Sequence, residues 1–574
     1  MEPYTIHKEA NRIFHDVLLP DTRLGLPPEV LAAASRTTFA TTTTIARPFI
    51  PVPTKVTECS TALWALLATY ANTLVTQRFN LPDDQDVVVD SDASTTFTFS
   101  FLLVKLNGKP LVGDPDLRAR LLRADTTQQS QPWRRLCTNV YQCGDGRWFH
   151  LHGGLDASPS LRMLGLPTHQ PDLTDDMEII ARYADTMRER VDDATWLDLE
   201  CNEHWRQAGT LCLTAQEYRD SPQGRAVGDD PLYLIEESDL DVLSTPVPWP
   251  APQASGPNPA TNMRPLEGIK LLDLTRAIAG PTIARLAALF GATVIRVSSA
   301  PLPELTTLLF ESNLGKRDVN LDLKTDEGRK ALLRLLEDAD VVLDGYRPGA
   351  LERLGFGPEF VRGLARRRGK GIVYARENCY GWKGPLAHRS GWQMISDAVT
   401  GLAWEFSKFM GIEGEPIVPP LPNSDYQTGI VGCLAIMNAL DRRARKGGNY
   451  LVSVSLNQYN SFLISLGFHE PAIRDELLAM WNEFKPRHYD DMHRMLAIFN
   501  RELPKKAPSL FDPKHMMSME AELGVEGEMM DFLGPPVAFD ATRLGYDVGS
   551  CEKGSCKAIW PTQKDAEEHN RATV

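Results

Sequence analysis

Apolar and polar positions alternate most regularly in the second half of the chain. Residues 269–273, IKLLD, with the adjacent leucines 271 and 272, predict a strand buried within a sheet. A turn at Gly280-Pro281 follows, then an apolar helix through Leu289, then a β-branched-rich strand at 293–297. Strand, helix and strand in that order predict a βαβ unit, with a parallel sheet and a right-handed crossover. Residues 325–339 carry a helical pattern, with Thr325 as N-cap and Glu327 in the first turn, where negative charge suits the helix dipole. Further strands are expected at 341–343 and 371–375. This alternation predicts a doubly wound, Rossmann-like α/β domain.

Residues 245–265 contain seven prolines between Pro246 and Pro265. Proline fixes φ and removes a donor, so this stretch is expected to be a stiff linker dividing the chain. A weak internal repeat relates the two halves. TECSTALWALLATYAN (57–72) aligns with SDYQTGIVGCLAIMNA (424–439), so that Thr61, Leu67 and Ala68 meet Thr428, Leu434 and Ala435. Each segment leads into an expected strand, at 86–90 and 450–454. Residues 1–110 are therefore expected to be a partial, degenerate copy of the α/β unit at 266–465. Between them, 111–244 has a different texture. GDGRWFHLHGG (144–154) predicts a turn and a strand, and ATWLDLECNEHWRQAG (194–209) an amphipathic helix ending at Gly209. That stretch is expected to be a smaller α+β domain. Residues 466–574 are expected to be helical to about residue 500, then irregular, wrapping over the rest; MMSME (516–520) suits adaptable packing.

The 574 residues are 43% hydrophobic and 24% charged, an ordinary globular mixture able to bury large cores. The net charge of −14 argues against nucleic acid, because phosphate binding needs a basic face. An anionic small molecule would need a local basic patch. Nine cysteines, odd in number and irregularly spaced, predict reduced thiols. Cys551 and Cys556 have no second pair to complete a zinc site, and no metal is expected. His150 and His152 share a strand face but lack a third ligand, which predicts packing. The opening MEPYTIHKEANRIFHD has no apolar signal core, no run of 18 apolar residues occurs, and RATV is not a peroxisomal tripeptide. A cytoplasmic protein without a membrane partner is the resulting expectation.

A βαβ opening invites a dinucleotide reading. Its turn, TRAIAGPTIA, has one glycine, and the second strand ends in Arg296-Val297-Ser298-Ser299 without a carboxylate for a ribose. That pattern disfavours a nicotinamide-dependent dehydrogenase. Instead, DLTRAIAGP, GATVIRV, GKRDVNLDLKTDEGR (315–329), ADVVLDGYRPGALERLGF (339–356) and GWKGP (381–385) follow one another in order. Together they resemble the blocks of the family III CoA-transferases, the CaiB/BaiF group. GDGRW and the segment after residue 195 are similar to that family's small domain, here placed before the α/β domain as in a fused double unit.

The resemblance implies coenzyme A as a (co)substrate, no tightly bound cofactor, an acyl-CoA thioester and a carboxylic acid acceptor as partners, and either a homodimer or an intrachain pseudo-dimer. It carries coenzyme A contacts onto Arg276, Ala277, Ala279, Leu321, Lys324, Tyr346 and Arg353. The residues agree in part. A helix N-terminus after a βα turn suits phosphate, and Lys316, Arg317, Lys324, Arg347 and Arg353 would form a cationic cluster. The plainer alternative is surface side chains that solvate loops.

The implied nucleophile is an aspartate on a loop opening a helix. In PNSDYQTG that residue is Asp425, with Ser424 in place of the usual glycine. Its carboxylate would attack the thioester to give a mixed anhydride and free thiolate, and the acceptor acid would complete the exchange. Nearby backbone N–H groups would hold the oxyanion. Without the resemblance, Asp425 is an N-cap for a helix over 426–440. Glu58 falls opposite Asp425 in the repeat, as either a second nucleophile or a first-turn glutamate. Two alternatives stay open. A racemase of 2-methylacyl-CoA on the same fold needs a histidine where this chain has Trp392, within Gly391-Trp392-Gln393, and an indole cannot shuttle a proton; His388 lies three residues upstream. A coenzyme A-binding protein without activity would fit the departures at Ser298-Ser299 and Gly345.

Overall fold

The computed structural model describes residues 4–42, 46–111, 114–122, 125–251, 263–276 and 278–561. In the first half, β1 (Thr37–Ala40) and β2 (Val87–Asp90) flank α1 (Val56–Phe79), and α2 (Ser91–Phe97) follows β2. A short hairpin, β3 (Lys105–Leu106) and β4 (Lys109–Pro110), comes next. Then β5 (Asn139–Gln142), β6 (Trp148–Leu151) and β7 (Gly209–Leu211) make an antiparallel sheet of their own, and β8 (Leu234–Ser238) ends this half. The second half runs β9 (Lys270–Leu274), α3 (Ala279–Leu289), β10 (Thr293–Ser298), β11 (Lys316–Asn320), α4 (Asp326–Asp338), β12 (Val341–Asp344), β13 (Val373–Asn378), α5 (Gln393–Thr400), α6 (Asn423–Lys446), β14 (Asn449–Ser455) and α7 (Leu456–Ser465). The tail adds β15 (Met516–Glu520), β16 (Met529–Leu533) and β17 (Val537–Phe539).

The large sheet has the order β11-β10-β9-β12-β13-β14-β8, parallel except for β8. It is the doubly wound α/β arrangement. Both faces are covered, so its central strands bury apolar side chains on each side. The charges buried on β9, β10 and β11 are paired, Lys316 with Asp273 and Arg296 with Asp318. Leu271 of β9 packs into the core shared with α3 and α6, while Leu272 and Leu274 pack into the one shared with α4. In α4, Thr325 caps the helix by accepting the Gly328 N–H at 3.1 Å, and Ala331, Leu332, Leu335 and Leu336 form its buried stripe. Each such leucine contributes about 1.5–3 kcal/mol on burial. From β9 the chain winds outward to β10 and β11, then crosses back to β12. The order therefore reverses between β9 and β12, leaving a crevice at the carboxyl ends of those strands.

The first half repeats part of this plan. α1 and α6 each span 24 residues. Each precedes a strand paired in parallel with its neighbour, β2 with β1 and β14 with β13, and a helix follows each strand. The two sheets also exchange edges. β8, from the first half, closes β14, and β17, from the tail, closes β2; both pairings are antiparallel.

Three local expectations differ from the structure. The segment at 194–209 is not one helix. It is a short helix, Ala194–Leu199, that widens into a π-turn over Glu200–His204, and Gly209 opens β7. Asn202 drives that ending, since its Nδ2 donates to both Asp198 O and Gly209 O. The tail is not irregular after residue 500: the methionine-rich stretch is β15, paired with β16. Finally, β8 lies in the range expected for the small domain yet completes the large sheet. Among the described residues, no helix is long and apolar enough to cross a membrane, and no group of three or more His, Cys, Asp or Glu could hold a metal ion.

Candidate active site

A cavity of about 300 Å³ opens at the carboxyl ends of the central strands. Arg276, Ile278 and Ala279 reach it from the turn after β9, and Gly345, Tyr346 and Arg347 from the turn after β12. Glu377, Asn378 and Cys379 close it at the end of β13, and Asp425 enters from α6. The far wall comes from the small domain, through Leu155, Asp156 and Gln207. Two arginines tie that domain down. Arg389 holds Asp198 at 2.6 Å and Glu203 at 2.8 Å, and Arg347 donates to the Arg206 carbonyl.

Asp425 is the third residue of α6. The N-cap is Pro422, which offers no side-chain bond, so Asp425 is not the cap. Its carboxyl instead stands in the first turn, where unpaired backbone N–H groups and the helix dipole favour an anion. Burial works against that, together with the charges of Glu377 and Asp397, and holds the Asp425 carboxyl well above the usual carboxylate range. Asp397, on α5, accepts from Asn460 Nδ2 at 2.9 Å and from Gln393, and burial still pushes it up to about 7. Glu377 is pushed up to about 7 by burial and then by the Asp344 charge.

Arg276, Ala279, Tyr346 and Asp425, identified from the sequence, come together around this cavity. Ala277 lies outside the described residues. Leu321, Lys324 and Arg353 are not in the lining: Leu321 is buried in the α4 core, and Lys324 and Arg353 are exposed. The expected cationic cluster is also dispersed. Lys316 is fully buried, with its Nζ 2.7 Å from Asp273 Oδ2 and 2.8 Å from Pro281 O. It is spent on pinning β11 to β9 and to the start of α3, so it is not available to a ligand. Arg276 does face the cavity. It donates to Pro303 O and stands 3.8 Å from Glu304, which also binds Arg296 at 2.7 Å.

Glu58 occupies the third position of α1, matching Asp425 in α6. It is fully buried, takes the Tyr4 hydroxyl at 2.5 Å and does not line this cavity. His152 stacks flat on Trp392, centroids 5.2 Å apart and planes 4° apart. Its Nδ1 accepts the Gly154 N–H at 2.9 Å, and burial keeps both His150 and His152 neutral. The histidine pair backs the indole that lines the cavity. His388 is exposed and bound to Glu203 at 2.9 Å, outside the lining.

Glu377, Cys379 and the small-domain wall were not identified from sequence. The one available signal was the charged pair Arg376-Glu377 following the apolar start of β13.

A model of CoA-transferase family III matches residues 266–500. Over 97% of its length the chain is 37% identical to the acetyl-coenzyme A transferase nodX of Hypoxylon pulicicidum, covering 94% of that protein. It is 30% identical to an acyl-CoA transferase of Gibberella moniliformis, over 86% of this chain and 85% of that one. The crystal structure of Rv3272 from M. tuberculosis covers 52% of this chain and 99% of its own, at 22% identity and a TM-score of 0.38.

Proposed function

This chain belongs to CoA-transferase family III, and from that premise we propose that it moves coenzyme A from an acyl-CoA thioester to a carboxylic acid, with Asp425 as nucleophile. The observation that carries the reading is the position of Asp425. It stands in the first turn of a 24-residue helix and opens into the crevice at the strand-order reversal, opposite Arg276 and the start of α3. The Asp425 carboxylate attacks the thioester carbonyl, the C–S bond breaks, and a mixed anhydride remains on the enzyme. N–H groups at the start of α6 suit the oxyanion. Thiolate returning to the aspartyl carbonyl expels the acyl group as its acid and leaves an aspartyl-CoA thioester. The acceptor carboxylate then attacks that thioester and expels the coenzyme A thiolate, leaving a second anhydride; the thiolate attacks its acceptor carbonyl, giving the new acyl-CoA thioester and free Asp425. Arg276 and the N-terminus of α3 suit the anionic end of the cofactor. Trp392 lines the cavity where racemization would need a histidine, which supports transfer over that reading.

The test is a trap. The protein is incubated with acetyl-CoA and hydroxylamine, digested, and the Asp425 peptide weighed. A hydroxamate at Asp425, absent from Asp425→Asn, is the expected result. An unmodified peptide accompanied by α-proton exchange in D₂O would overturn the reading in favour of a racemase; no adduct and no exchange, with coenzyme A still retained, would leave a binding protein.

A further inference from the structure

Glu377 is the second carboxylate of the cavity, and its place is unusual for a side chain with a structural task. It is the penultimate residue of β13, fixed in register opposite Val454 of β14, with its carboxylate turned into the cavity. Among the described residues, no hydrogen bond or ion pair reaches that carboxylate. Buried acids that serve the fold are paired, because an uncompensated charge there is costly. Gly345 lies beside it, within ordinary contact distance of Glu377 Oε2 (3.6 Å from where a Cβ would stand).

We propose that Glu377 is the acid–base residue for the coenzyme A sulfur, a role that rests on the transferase reading above. As Asp425 attacks and the C–S bond breaks, the electron pair of that bond goes to sulfur and the Glu377 proton joins it. The products are the aspartyl anhydride, neutral coenzyme A thiol and Glu377 carboxylate, so one negative charge passes from Asp425 to Glu377. On return, Glu377 takes the thiol proton and the thiolate attacks the anhydride. No outside reagent is needed.

The groups around Glu377 leave it this task. Asp344 from β12 and Asp425 from α6 face it as like charges, and carboxylates sharing a site do not all ionise together. The lining arginines 276, 347 and 389 offer only N–H donors in a guanidinium, not an acid–base carboxyl. Burial pushes both the Cys379 thiol and the Tyr346 phenol up, so each holds its proton too tightly to protonate a thiolate. Asp156 is already paired with Arg134 at 2.5 Å. A carboxyl held near 7 is closely matched to a thiol, which is the condition for efficient proton transfer.

The experiment measures the burst of free thiol from the full-length protein mixed with either acetyl-CoA or S-phenyl thioacetate. Thiophenolate departs without needing a proton; the coenzyme A sulfur does not. Glu377→Gln is expected to slow the acetyl-CoA burst by about 100-fold or more, yet to stay within about threefold of wild type on the phenyl thioester. Its melting temperature should not fall, because a desolvated carboxyl has been removed. Equal loss on both thioesters, or no loss on acetyl-CoA, would overturn the assignment. Asp425→Asn separates the two claims: if it keeps the full burst, the nucleophile assignment fails, and if it loses the burst while Glu377→Gln keeps it, only the role of Glu377 fails.

Discussion

Replacing Gly429 with alanine should damage catalysis far more than stability. α3 and α6 pack so closely that a Cβ on Gly429 would stand 2.7 Å from Thr282 Cβ, and closer still to its Cγ2. Carbon atoms settle at about 3.5–4.0 Å, so the helices must separate locally by about 0.8 Å or more. Thr282 cannot swing aside, because it is branched at Cβ and its hydroxyl donates to Ile278 O at 2.7 Å. Overpacking of this kind costs about 1–3 kcal/mol, and the better helix propensity of alanine returns about 1 kcal/mol of it. Net destabilisation of about 0–2 kcal/mol follows from those two terms. Asp425 sits one turn earlier on the same face of α6 and moves with it, away from Ala279 at the start of α3. A misplacement near 1 Å costs roughly 100-fold in rate. Gly432 gives an internal control. A Cβ there would stand 2.7 Å from Ile283 Cγ1 and closer still to its Cδ1, a comparable overpacking but two turns from Asp425, so Gly432→Ala should lose less than about tenfold in rate at a similar stability cost. The assay pairs thiol-release kinetics with a urea midpoint for each variant. Wild-type rates in Gly429→Ala, or greater damage from Gly432→Ala, would refute the link between this helix contact and the position of Asp425.

Two further outcomes are expected. Lys316→Met strands the Asp273 carboxylate in the core and should destabilise the α/β unit by about 3–5 kcal/mol, with much of the loss recovered by adding Asp273→Asn; urea denaturation reads both, and a single-variant loss under about 1 kcal/mol, the scale of a surface pair, would contradict a sealed pair. Arg276→Ala should raise the KM for acetyl-CoA about tenfold or more, as loss of a charge-assisted bond requires, while exposed Lys324→Ala should change it by less than about twofold. Reversed effects would move the cofactor out of this cavity.

Sequence alone determined what depends on neighbours along the chain. The β9-α3-β10 unit, the Thr325 cap of α4 and the strands after it follow from apolar runs and turn residues, since backbone geometry ties side-chain direction to local spacing. Asp425 came instead from the resemblance to a family's motif, since its own neighbours suggest no more than an N-cap. The tertiary structure decided whatever depends on partners distant in sequence. Lys316 looks like a surface cation until β11 places it beside Asp273, 43 residues earlier. Periodicity along β8 or β17 cannot say that each closes a sheet belonging to the other half, because a strand's own pattern specifies its faces and not its neighbour. α1 and α6 are buried almost throughout, so their apolar pattern could not show which turn faces the cavity. Asp425 and Glu58 hold the same position on those matched helices. Only packing separates them: a cavity opens in front of the aspartate, and the Tyr4 hydroxyl seals the glutamate.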